Sequence, residues 1–362
     1  MARLSGGDPG GEGEVAREAL RGSLLRIDRS IVSLIAARMN ISDLLGEVKK
    51  REGLPVYDPS REVSVANLLA EEASRLGLPA GLVKEIYFLI ARESRCRQLY
   101  CPVQARIAVY GTGGMGRMIA GLLARAGCWT AITGRTPEKV VEASRATGAK
   151  AMEPGEALDW ADMLVYAVPT GATVELLGRH WSSYRESMLI ADIASVKAPV
   201  VRAVERLYRE RGGGPEYASL HPLFGPLGCP AGETVAVVPV RLERWRERLE
   251  KLLTGLGLVH VYVDWETHDK AMAVNQVLHH LAVEALAEAM ERLRERLGLD
   301  PGVVKSLATY SLRQTLSVAS RLERLRGVVE EIRRENPYAR EAVETLLEVL
   351  GEKAREATGG EG

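Results

Sequence analysis

The stretch Arg106-Ile-Ala-Val-Tyr-Gly-Thr-Gly-Gly-Met-Gly116 decides the fold of this 362-residue chain. The apolar residues after Arg106 are typical of a buried parallel strand. Three glycines follow in the spacing G-x-G-x-x-G, and residues 118–126 have the pattern of an apolar helix. A second apolar run at residues 129–133 completes a strand–helix–strand unit of about 30 residues, which this motif requires. The stretch therefore predicts a doubly wound α/β domain of the Rossmann type that binds a dinucleotide.

The glycines of this turn have separate roles in such a domain. The first, Gly111, allows a tight turn, the second lets the backbone approach a pyrophosphate, and the third lets helix and strand pack closely. The N–H groups at the start of the helix then bind the anion. The predicted cofactor-binding residues of the turn are Gly111, Thr112, Gly113, Gly114, Met115 and Gly116.

The loop after the second strand bears on the choice of dinucleotide. Enzymes that use NAD usually place an acid here for the ribose 2′-hydroxyl. This loop instead offers Arg135 and Thr136, which suit a 2′-phosphate. We therefore expect NADP as the cofactor, with NAD possible. The alternative is that Arg135 only stacks on the adenine.

The composition of the chain indicates which kinds of binding partner are unexpected. Lys plus Arg and Asp plus Glu both number 48, so the chain has no net charge, which favours neither a nucleic-acid nor a membrane partner. The sequence has neither an 18-residue apolar window nor a signal-peptide pattern, and we expect a cytoplasmic protein. No metal site is expected, because the cysteines lack ligand spacing; we expect them to be reduced thiols. The four cysteines are Cys96, Cys101, Cys128 and Cys229.

The segment before the dinucleotide domain is predicted to be helical. Residues 1–13 are rich in glycine and typical of a disordered tail. The apolar pattern of residues 14–51 predicts a helix roughly 55 Å long, which is too long to be buried in one small domain and indicates packing against another chain. Two further helices are predicted at about residues 60–76 and 80–99. We therefore expect a homodimer.

Polar side chains of these helices share faces. Arg38 and Lys49 are 11 residues apart, or about three turns, so they lie on one face. Ser94 and Gln98 have i,i+4 spacing and also share a face. Arg21, 17 residues before Arg38, is directed elsewhere. Taken alone, such a pattern is typical of solvated helix faces.

This segment nevertheless resembles the all-helical chorismate mutases. The matching positions are Arg21, Asp28, Arg38, Gly46, Lys49, Pro55, Asp58, Arg61, Glu62, Ser94 and Gln98. The resemblance implies that Arg21 reaches into the partner subunit's site and that Arg38 binds a substrate carboxylate. It also implies that Lys49 and Gln98 bind the ether oxygen whose bond breaks.

The same resemblance gives roles to the remaining polar residues. Asp58, Glu62 and Ser94 would hold the hydroxyl end and the second carboxylate of chorismate, with Arg61 in support. The chemistry suits such residues, because a pericyclic rearrangement needs no proton transfer and no nucleophile. It needs a dianion held in one folded conformer and charge stabilisation at the ether oxygen.

Two further motifs follow predicted strands of the dinucleotide domain. Asp192-Ile-Ala-Ser-Val-Lys197 and His221-Pro-Leu-Phe-Gly-Pro226 come after apolar runs at residues 188–193 and 217–220. Carboxyl ends of parallel strands meet at the edge of the sheet where ligands bind. Taken alone, a histidine before a proline is typical of a structural turn.

With Thr267-His-Asp-Lys-Ala-Met272 and Arg313, these motifs resemble prephenate dehydrogenase from about Ala105 to the C-terminus. The resemblance implies that His221 takes the proton of the C4 hydroxyl of prephenate as hydride leaves C4 for the nicotinamide. Loss of CO2 then gives 4-hydroxyphenylpyruvate.

The resemblance assigns four more substrate-site residues. Ser195 would position the hydroxyl and the nicotinamide, and Arg313 would bind a substrate carboxylate. Lys197 would bind substrate or only brace its loop. His268 would lie at the site entrance, where this family senses substrate or inhibitory tyrosine, unless it is an ordinary residue at a helix N-terminus.

We therefore expect three domains: an all-α mutase domain (14–99), an NAD(P)-binding Rossmann domain (105–264) and an all-α dimerisation and substrate-binding domain (265–357). The expected function is the conversion of chorismate to prephenate and then to 4-hydroxyphenylpyruvate in tyrosine biosynthesis. One alternative is a prephenate or arogenate dehydrogenase with a non-catalytic helical sensor or dimerisation module. The other is a 3-hydroxyacid-type dehydrogenase, although its glycine-rich lysine segment is missing between Ser195 and His280.

Overall fold

The computed structural model describes residues 9–358, which form two compact units. Unit 1 contains the chain up to Pro102 together with residues 229–232 and 252–258. Unit 2 contains residues 103–228, 233–251 and the chain from Val259 onward. The helical N-terminal region, the Rossmann-like sheet and the helical C-terminal region are all present, as the sequence predicts. The predicted boundary between the last two, at residues 264 and 265, stays a prediction.

Unit 1 is built on three helices: α1 (Pro9–Glu52), α2 (Pro59–Arg75) and α3 (Ala80–Arg97). Residues 1–8 of the predicted disordered tail lie outside the described residues, and the prediction is wrong for residues 9–13, which belong to α1. The side chain of Asp58 accepts a hydrogen bond from the backbone N–H of Arg61, so α2 begins with an N-cap followed by a proline. The small residues Ala66 and Ala91 lie with Tyr87 in the core between α2 and α3, where they allow close helix packing.

Helix α1 leaves an apolar stripe exposed within the single chain. Its members recur at alternating spacings of four and three residues, with one gap of seven at Arg38, which is the repeat of a two-helix seam. Leu20, Leu24 and Leu34 are 66%, 61% and 70% exposed. The stripe comprises Leu20, Leu24, Ile27, Ile31, Leu34, Ile41, Leu45 and Val48.

Unit 2 is organised around one eight-stranded sheet in the order β3-β2-β1-β4-β5-β6-β7-β8. The strands are β1 (Arg106–Tyr110), β2 (Trp129–Thr133), β3 (Lys150–Ala151), β4 (Met163–Tyr166), β5 (Leu189–Asp192), β6 (Glu216–Pro222), β7 (Thr234–Arg241) and β8 (Val259–Tyr262). Strands β1 to β6 pair in parallel, β6 pairs antiparallel with β7, and β7 pairs in parallel with β8. This order is that of a doubly wound dinucleotide-binding sheet with an added edge.

Six helices accompany the strands of this sheet. They are α4 (Gly114–Arg125), α5 (Pro137–Thr147), α6 (Pro154–Trp160), α7 (Thr170–His180), α8 (Ala198–Arg211) and α9 (Arg246–Gly255). The apolar core on one side is continuous from Ala108 through Leu177 to Tyr217. The sequence did not predict β3 or α6, because two and seven residues are too few to show a period.

The C-terminal part of unit 2 is helical: α10 (Trp265–Met272), α11 (His279–Arg296), α12 (Pro301–Ser306), α13 (Tyr310–Arg324), α14 (Arg326–Glu335) and α15 (Ala339–Thr358). The prediction of one uninterrupted helix over residues 271–297 is wrong, since a π-helical segment, Ala273–Leu278, precedes α11. The prediction of a single helix over 301–325 is also wrong. There the hydroxyl of Thr309 accepts a hydrogen bond from Leu312 and starts a new helix.

The expectation of reduced cysteines is wrong for the described chain. Cys96 on α3 and Cys229 form a disulfide with a Cα–Cα distance of 5.9 Å, and no described cysteine is a free thiol. The two residues are 133 positions apart, so nothing in their local spacing predicts the bond. Among residues 9–358, no helix is long and apolar enough to cross a membrane. The same residues contain no group of three or more His, Cys, Asp or Glu that could hold a metal ion.

The glycine-rich turn gives a stability prediction. An ideal Cβ at Gly116 would lie 2.0 Å from the carbonyl oxygen of Gly111, whereas one at Gly113 has no described heavy atom within 4 Å. We expect Gly116→Ala to lower the free energy of unfolding by roughly 1–3 kcal/mol or more, because the backbone must move. Gly113→Ala, the matched control, should unfold at the denaturant concentration of the unaltered protein. Equal midpoints for the two variants would contradict this account.

Candidate active sites

The turn between β1 and α4 is shaped for close approach of an anion. Gly111 has a φ of +143°, and a Cβ there would lie 2.2 Å from the carbonyl oxygen of Ala167. Helix α4 begins after Gly113, and a Cβ at Gly113 would have no described heavy atom within 4 Å. Within the described chain, no side chain caps the N-terminus of α4. The first N–H groups of α4 are therefore available, and a pyrophosphate fits this turn. The close contacts at Gly111 and Gly116 explain the need for glycine at these two positions, and the pyrophosphate-binding role of Gly113 stays a prediction.

The loop after β2 lies beside this turn, because β1 and β2 are neighbours in the sheet. Arg135 is exposed there, and Thr136 is the residue before α5 without a side-chain capping bond to any described residue. The hydroxyl of Thr133 is buried and has no hydrogen-bond partner in the described chain. Polar groups that could hold the adenosine half of a dinucleotide are therefore present.

A chain of hydrogen bonds at the end of β6 orders the second predicted site. Nδ1 of His221 is 2.9 Å from Nε2 of His268, and Nδ1 of His268 is 2.8 Å from Oδ1 of Asp269. Asp269 also accepts hydrogen bonds from the backbone N–H groups of Lys197 and Ala198 at the start of α8. We call His221, His268 and Asp269 the histidine relay.

The relay fixes which nitrogen of His221 can accept a proton. Asp269 acts as acceptor, so Nδ1 of His268 carries the proton and Nε2 of His268 accepts from Nδ1 of His221. Nε2 of His221 is then the unprotonated nitrogen, which is the form that a general base needs. A proton taken up at Nε2 gives an imidazolium whose Nδ1 proton is already held by His268.

Burial controls the charges in and beside the relay. The pKa of His221 is well below 6.5, mainly because the ring is buried and further because Lys197 and His268 are near. Burial likewise lowers the pKa of Lys197 to about 8. The ammonium of Lys197 donates to the carbonyl oxygens of Ala194 and Leu220, so it joins the loop that follows β5 to strand β6. His221 is therefore neutral at physiological pH.

The structure brings most of the predicted dehydrogenase residues together. Ser195 lies between Asp192 and Lys197 on the loop after β5, and β5 pairs with β6, which carries His221. Pro226, in the same motif as His221, would lie 3.4 Å from a Cβ on Gly114, so this motif contacts the start of α4. The turn for the dinucleotide and the loop after His221 are therefore adjacent.

Two predicted positions differ in the structure. His268 is 2% exposed and lies between His221 and Asp269, so its predicted place at the site entrance is wrong. His268 is buried because the next residue, Asp269, accepts hydrogen bonds from the start of α8 and so holds α10 against α8. Arg313 donates to the carbonyl oxygen of Ala308 and lines a cavity of about 500 Å³ whose lining contains no residue of the histidine relay. Its role at the substrate carboxylate stays a prediction.

Sequence reasoning missed several buried polar residues around the relay. Asp192 accepts from Tyr217 Oη and from the N–H of Ala194. Asn336, 4% exposed, donates to the carbonyl oxygen of Asp269. The adjacent His268-Asp269 pair was a usable signal for Asp269, because such a pair can set a tautomer. Nothing in the sequence around Asn336 marks it.

The predicted polar residues of unit 1 other than Arg21 form one cluster on α1, α2 and α3, together with Arg95, which was not predicted. Its members are Arg38, Lys49, Asp58, Arg61, Glu62, Ser94, Arg95 and Gln98, and we call it the helical charge cluster. Arg38 donates to the hydroxyl of Ser94, and Lys49 Nζ donates to the carbonyl oxygen of Val56 at 2.7 Å. Oε1 of Gln98 is buried and lacks a partner in the described chain. Gly46 is needed beside it, because a Cβ there would lie 3.0 Å from Cα of Gln98.

The pKa shifts in unit 1 show that these charges act on one another. Burial lowers the pKa of Lys49, while Asp58 and Glu62 raise it and Arg95 lowers it. Burial also raises the pKa of Tyr87, a ring over which Arg38 lies at 5.9 Å. The cluster holds four cations and two carboxylates, so it carries excess positive charge for an anionic ligand.

Arg21 lies apart from this cluster, as its helical phase predicts. It is exposed and pairs with Glu18 at 2.9 Å. The sequence did not single out Arg95, since only the fold brings it to Glu62.

Comparison with known proteins matches two parts of this chain to enzyme families. Residues 20–99 match the chorismate mutase type II family, and residues 119–236 match the nucleotide-binding domain of prephenate dehydrogenase. The chain belongs to the bifunctional chorismate mutase–prephenate dehydrogenases.

Relatives of this mutase–dehydrogenase include two bacterial T-proteins. That of Enterobacter agglomerans is 29% identical over 303 residues, which are 81% of this chain and 75% of the relative. That of Haemophilus influenzae is 27% identical over 281 residues, or 75% and 69% of the two chains.

Solved structures show the same fold. A prephenate dehydrogenase of A. aeolicus in complex with hydroxyphenyl propionate and NAD+ has a TM-score of 0.53 at 21% identity, covering 70% of this chain and 91% of that one. The Synechocystis arogenate dehydrogenase has a TM-score of 0.50 at 19% identity, covering 68% and 92%. At these identities the likeness concerns the fold alone. A nicotinamide cofactor follows from the matched nucleotide-binding domain.

The buried histidine gives a pH prediction for dehydrogenation by this mutase–dehydrogenase. Only neutral His221 can accept a proton, so activity is lost as the pH falls through its pKa, which lies well below 6.5. We expect kcat/KM for prephenate to stay constant between about pH 8 and 6.5. Lys197→Met should move the acid limb upward, because the ammonium lowers this pKa. A limb at or above 6.5 in the unaltered enzyme would contradict the assignment.

Proposed function

We propose that this chain rearranges chorismate to prephenate in the helical charge cluster and oxidatively decarboxylates prephenate at the histidine relay. The observation that carries the proposal is the presence of both sites in one chain. One site has excess positive charge and buried amide and hydroxyl groups. The other has a neutral, oriented imidazole whose motif contacts a dinucleotide-binding turn.

The mutase step needs binding and charge stabilisation only. Arg38, held by Ser94, is placed to bind one carboxylate of chorismate. The ammonium of Lys49 has donors beyond its bond to Val56, and the amide of Gln98, whose oxygen is buried without a partner in the described chain, offers its NH2 group as a donor. These two groups stabilise the charge that grows on the ether oxygen as its bond breaks. Asp58, Arg61 and Glu62 hold the hydroxyl end, and Arg21 completes the site of a second subunit.

The dehydrogenase step needs a base and an oriented hydroxyl. A nicotinamide held at the glycine-rich turn would supply the acceptor for the hydride from C4 of the substrate. Nε2 of His221 accepts the proton of the C4 hydroxyl, and His268 and Asp269 hold the resulting imidazolium. Ser195 positions the hydroxyl, and the ring carboxylate leaves as CO2, which makes the ring aromatic. Lys197 holds the loop after β5 against strand β6, and Arg313 binds the remaining carboxylate.

The proposed substrate of the second step is prephenate rather than arogenate, because the first step supplies prephenate. Tyrosine, which shares the ring and chain of the product, is the proposed feedback inhibitor. The proposed cofactor is NADP. Arg135 is exposed, and the side chain of Thr136 makes no capping hydrogen bond to α5, so both can bind a 2′-phosphate.

We further infer that the chain is a homodimer. The apolar stripe of α1 has the spacing of a two-helix seam, and a second α1 fits it. Sedimentation equilibrium tests this directly, with an expected mass twice that of the 39.5 kDa chain. A monomer at micromolar concentration would overturn the inference.

A coupled assay tests the two-step proposal. Purified protein is mixed with chorismate and NADP, or NAD in parallel, and the absorbance of the reduced cofactor is followed. We expect a rise with chorismate alone. His221→Asn should abolish the rise, by about 100-fold or more, while disappearance of chorismate continues. Loss of both activities in that variant would contradict two separate sites. A rise with prephenate but not chorismate would leave a dehydrogenase with a non-catalytic helical unit, and a rise only with arogenate would change the substrate.

The cofactor proposal has its own charge-reversal test. We expect Arg135→Asp to lower kcat/KM for NADP by about 100-fold and to leave that for NAD within a few-fold, because only the 2′-phosphate loses a cation. Arg145→Asp, at the other end of α5, makes the same charge change away from the loop and should leave both values unaltered. Equal losses for NADP and NAD in Arg135→Asp would overturn the assignment.

A further inference from the structure

The segment Cys229–Gly232 belongs to unit 1, although the chain on both sides of it belongs to unit 2. The disulfide from Cys229 to Cys96 attaches it to α3. Its other end is held by a 2.7 Å hydrogen bond from the N–H of Gly232 to the carbonyl oxygen of Gly257. Gly257 must stay small, because a Cβ there would lie 3.0 Å from that of Ala231. The segment is therefore fixed at both ends within unit 1.

The side chain that this segment holds is Arg95. Nε of Arg95 donates to the carbonyl oxygen of Ala231 at 3.0 Å, and Nη1 donates to Oε2 of Glu62. Its guanidinium also lies 4.7 Å from the ring centre of Tyr57. A Cβ at Gly232 would lie 2.9 Å from Nη2 of Arg95, so the segment packs directly on the guanidinium. The carbonyl oxygen of Ala231, the ring of Tyr57 and the carboxylate of Glu62 together fix the orientation of the Arg95 guanidinium.

This ion pair is largely shielded from solvent, unlike most in the described chain. The side chains of Arg95 and Glu62 are 12% and 15% exposed. A contrasting pair on the same helix, Arg97 with Asp43, is 42% and 49% exposed. Exposed pairs contribute little, whereas removal of one partner from a buried pair leaves a charge with no compensation. The orientation of Glu62 therefore depends on Arg95.

We propose that Arg95 is a positioning residue of the mutase site, which holds Glu62 for the hydroxyl end of the substrate, and that the segment Cys229–Gly232 keeps Arg95 in place. The inference rests on the proposed mutase function. It assigns to the chorismate site a residue outside the matched motif and a segment more than 100 residues later in the chain.

Arg95 also acts on Lys49 through its charge. Its cation lowers the pKa of Lys49, while the carboxylates of Asp58 and Glu62 raise it and burial lowers it. Lys49 must be protonated to donate to the ether oxygen, so mutase activity falls as the pH rises through this pKa. Loss of the Arg95 cation raises the pKa and moves the alkaline limb to higher pH. A residue with only a structural role would not shift this limb.

The test measures mutase kinetics of the full chain as chorismate disappearance at several pH values. We expect Arg95→Ala to lower kcat/KM for chorismate by about 10- to 100-fold, since a misplaced substrate contact has this effect. Its alkaline limb should lie at higher pH, and Arg95→Lys should recover part of the loss. Oxidation of added prephenate should be unaltered in Arg95→Ala. Arg97→Ala, the matched control, should keep the mutase kinetics of the unaltered enzyme.

Two variants test the segment while Arg95 remains. Cys229→Ser releases one end, and Gly232→Ala crowds the guanidinium; both should lower kcat/KM for chorismate less than Arg95→Ala does. If Arg95→Ala fails to fold, these two variants still test whether the position of Arg95 affects mutase activity. Unaltered mutase kinetics in Arg95→Ala, or a loss with no shift of the alkaline limb, would overturn the proposal. Absence of mutase activity in the unaltered enzyme would instead overturn the proposed function on which it rests.

Discussion

The carboxylate of Asp269 is the group on which the dehydrogenase site depends. It is fully buried, and it accepts hydrogen bonds from two backbone N–H groups at the start of α8 and from His268. A buried carboxylate must be satisfied in this way or its burial is strongly unfavourable. The same three bonds that satisfy it join α10 to α8 and set the tautomer of His221. Fold and chemistry are thus fixed by one group.

The two sites solve different electrostatic problems with different means. The helical charge cluster leaves its cations in excess, because its proposed ligand is a dianion that needs no proton transfer. The histidine relay instead keeps its imidazole neutral, through burial and the nearby ammonium of Lys197. A basic cluster on helices and a low-pKa histidine at a strand end are each suited to one step only. This division explains why one chain needs two separate sites.

The sequence predicted the parts of this structure that local patterns determine. The glycine turn, the strands and the polar residues matching the mutases all depend on spacing within a few turns or one loop. The contacts of Arg95, Cys229 and Asn336 were not predictable, because each joins residues far apart in the chain and has no period. The π-helical segment Ala273–Leu278 was missed for a related reason, since its apolar pattern is also that of an α-helix. His268 was misplaced because its burial depends on Asp269.

The membership of residues 229–232 and 252–258 in unit 1 bears on how such a fusion can be taken apart. When two domains are each continuous in sequence, the chain can be cut at the linker and each domain keeps all its residues. Here a cut after Pro102 would remove from unit 1 the disulfide partner of α3 and the carbonyl that holds Arg95. The sequence segments of the two units alternate along the chain instead of following one another as two continuous blocks. Genetic separation would therefore require rebuilding the first unit as well as dividing the gene.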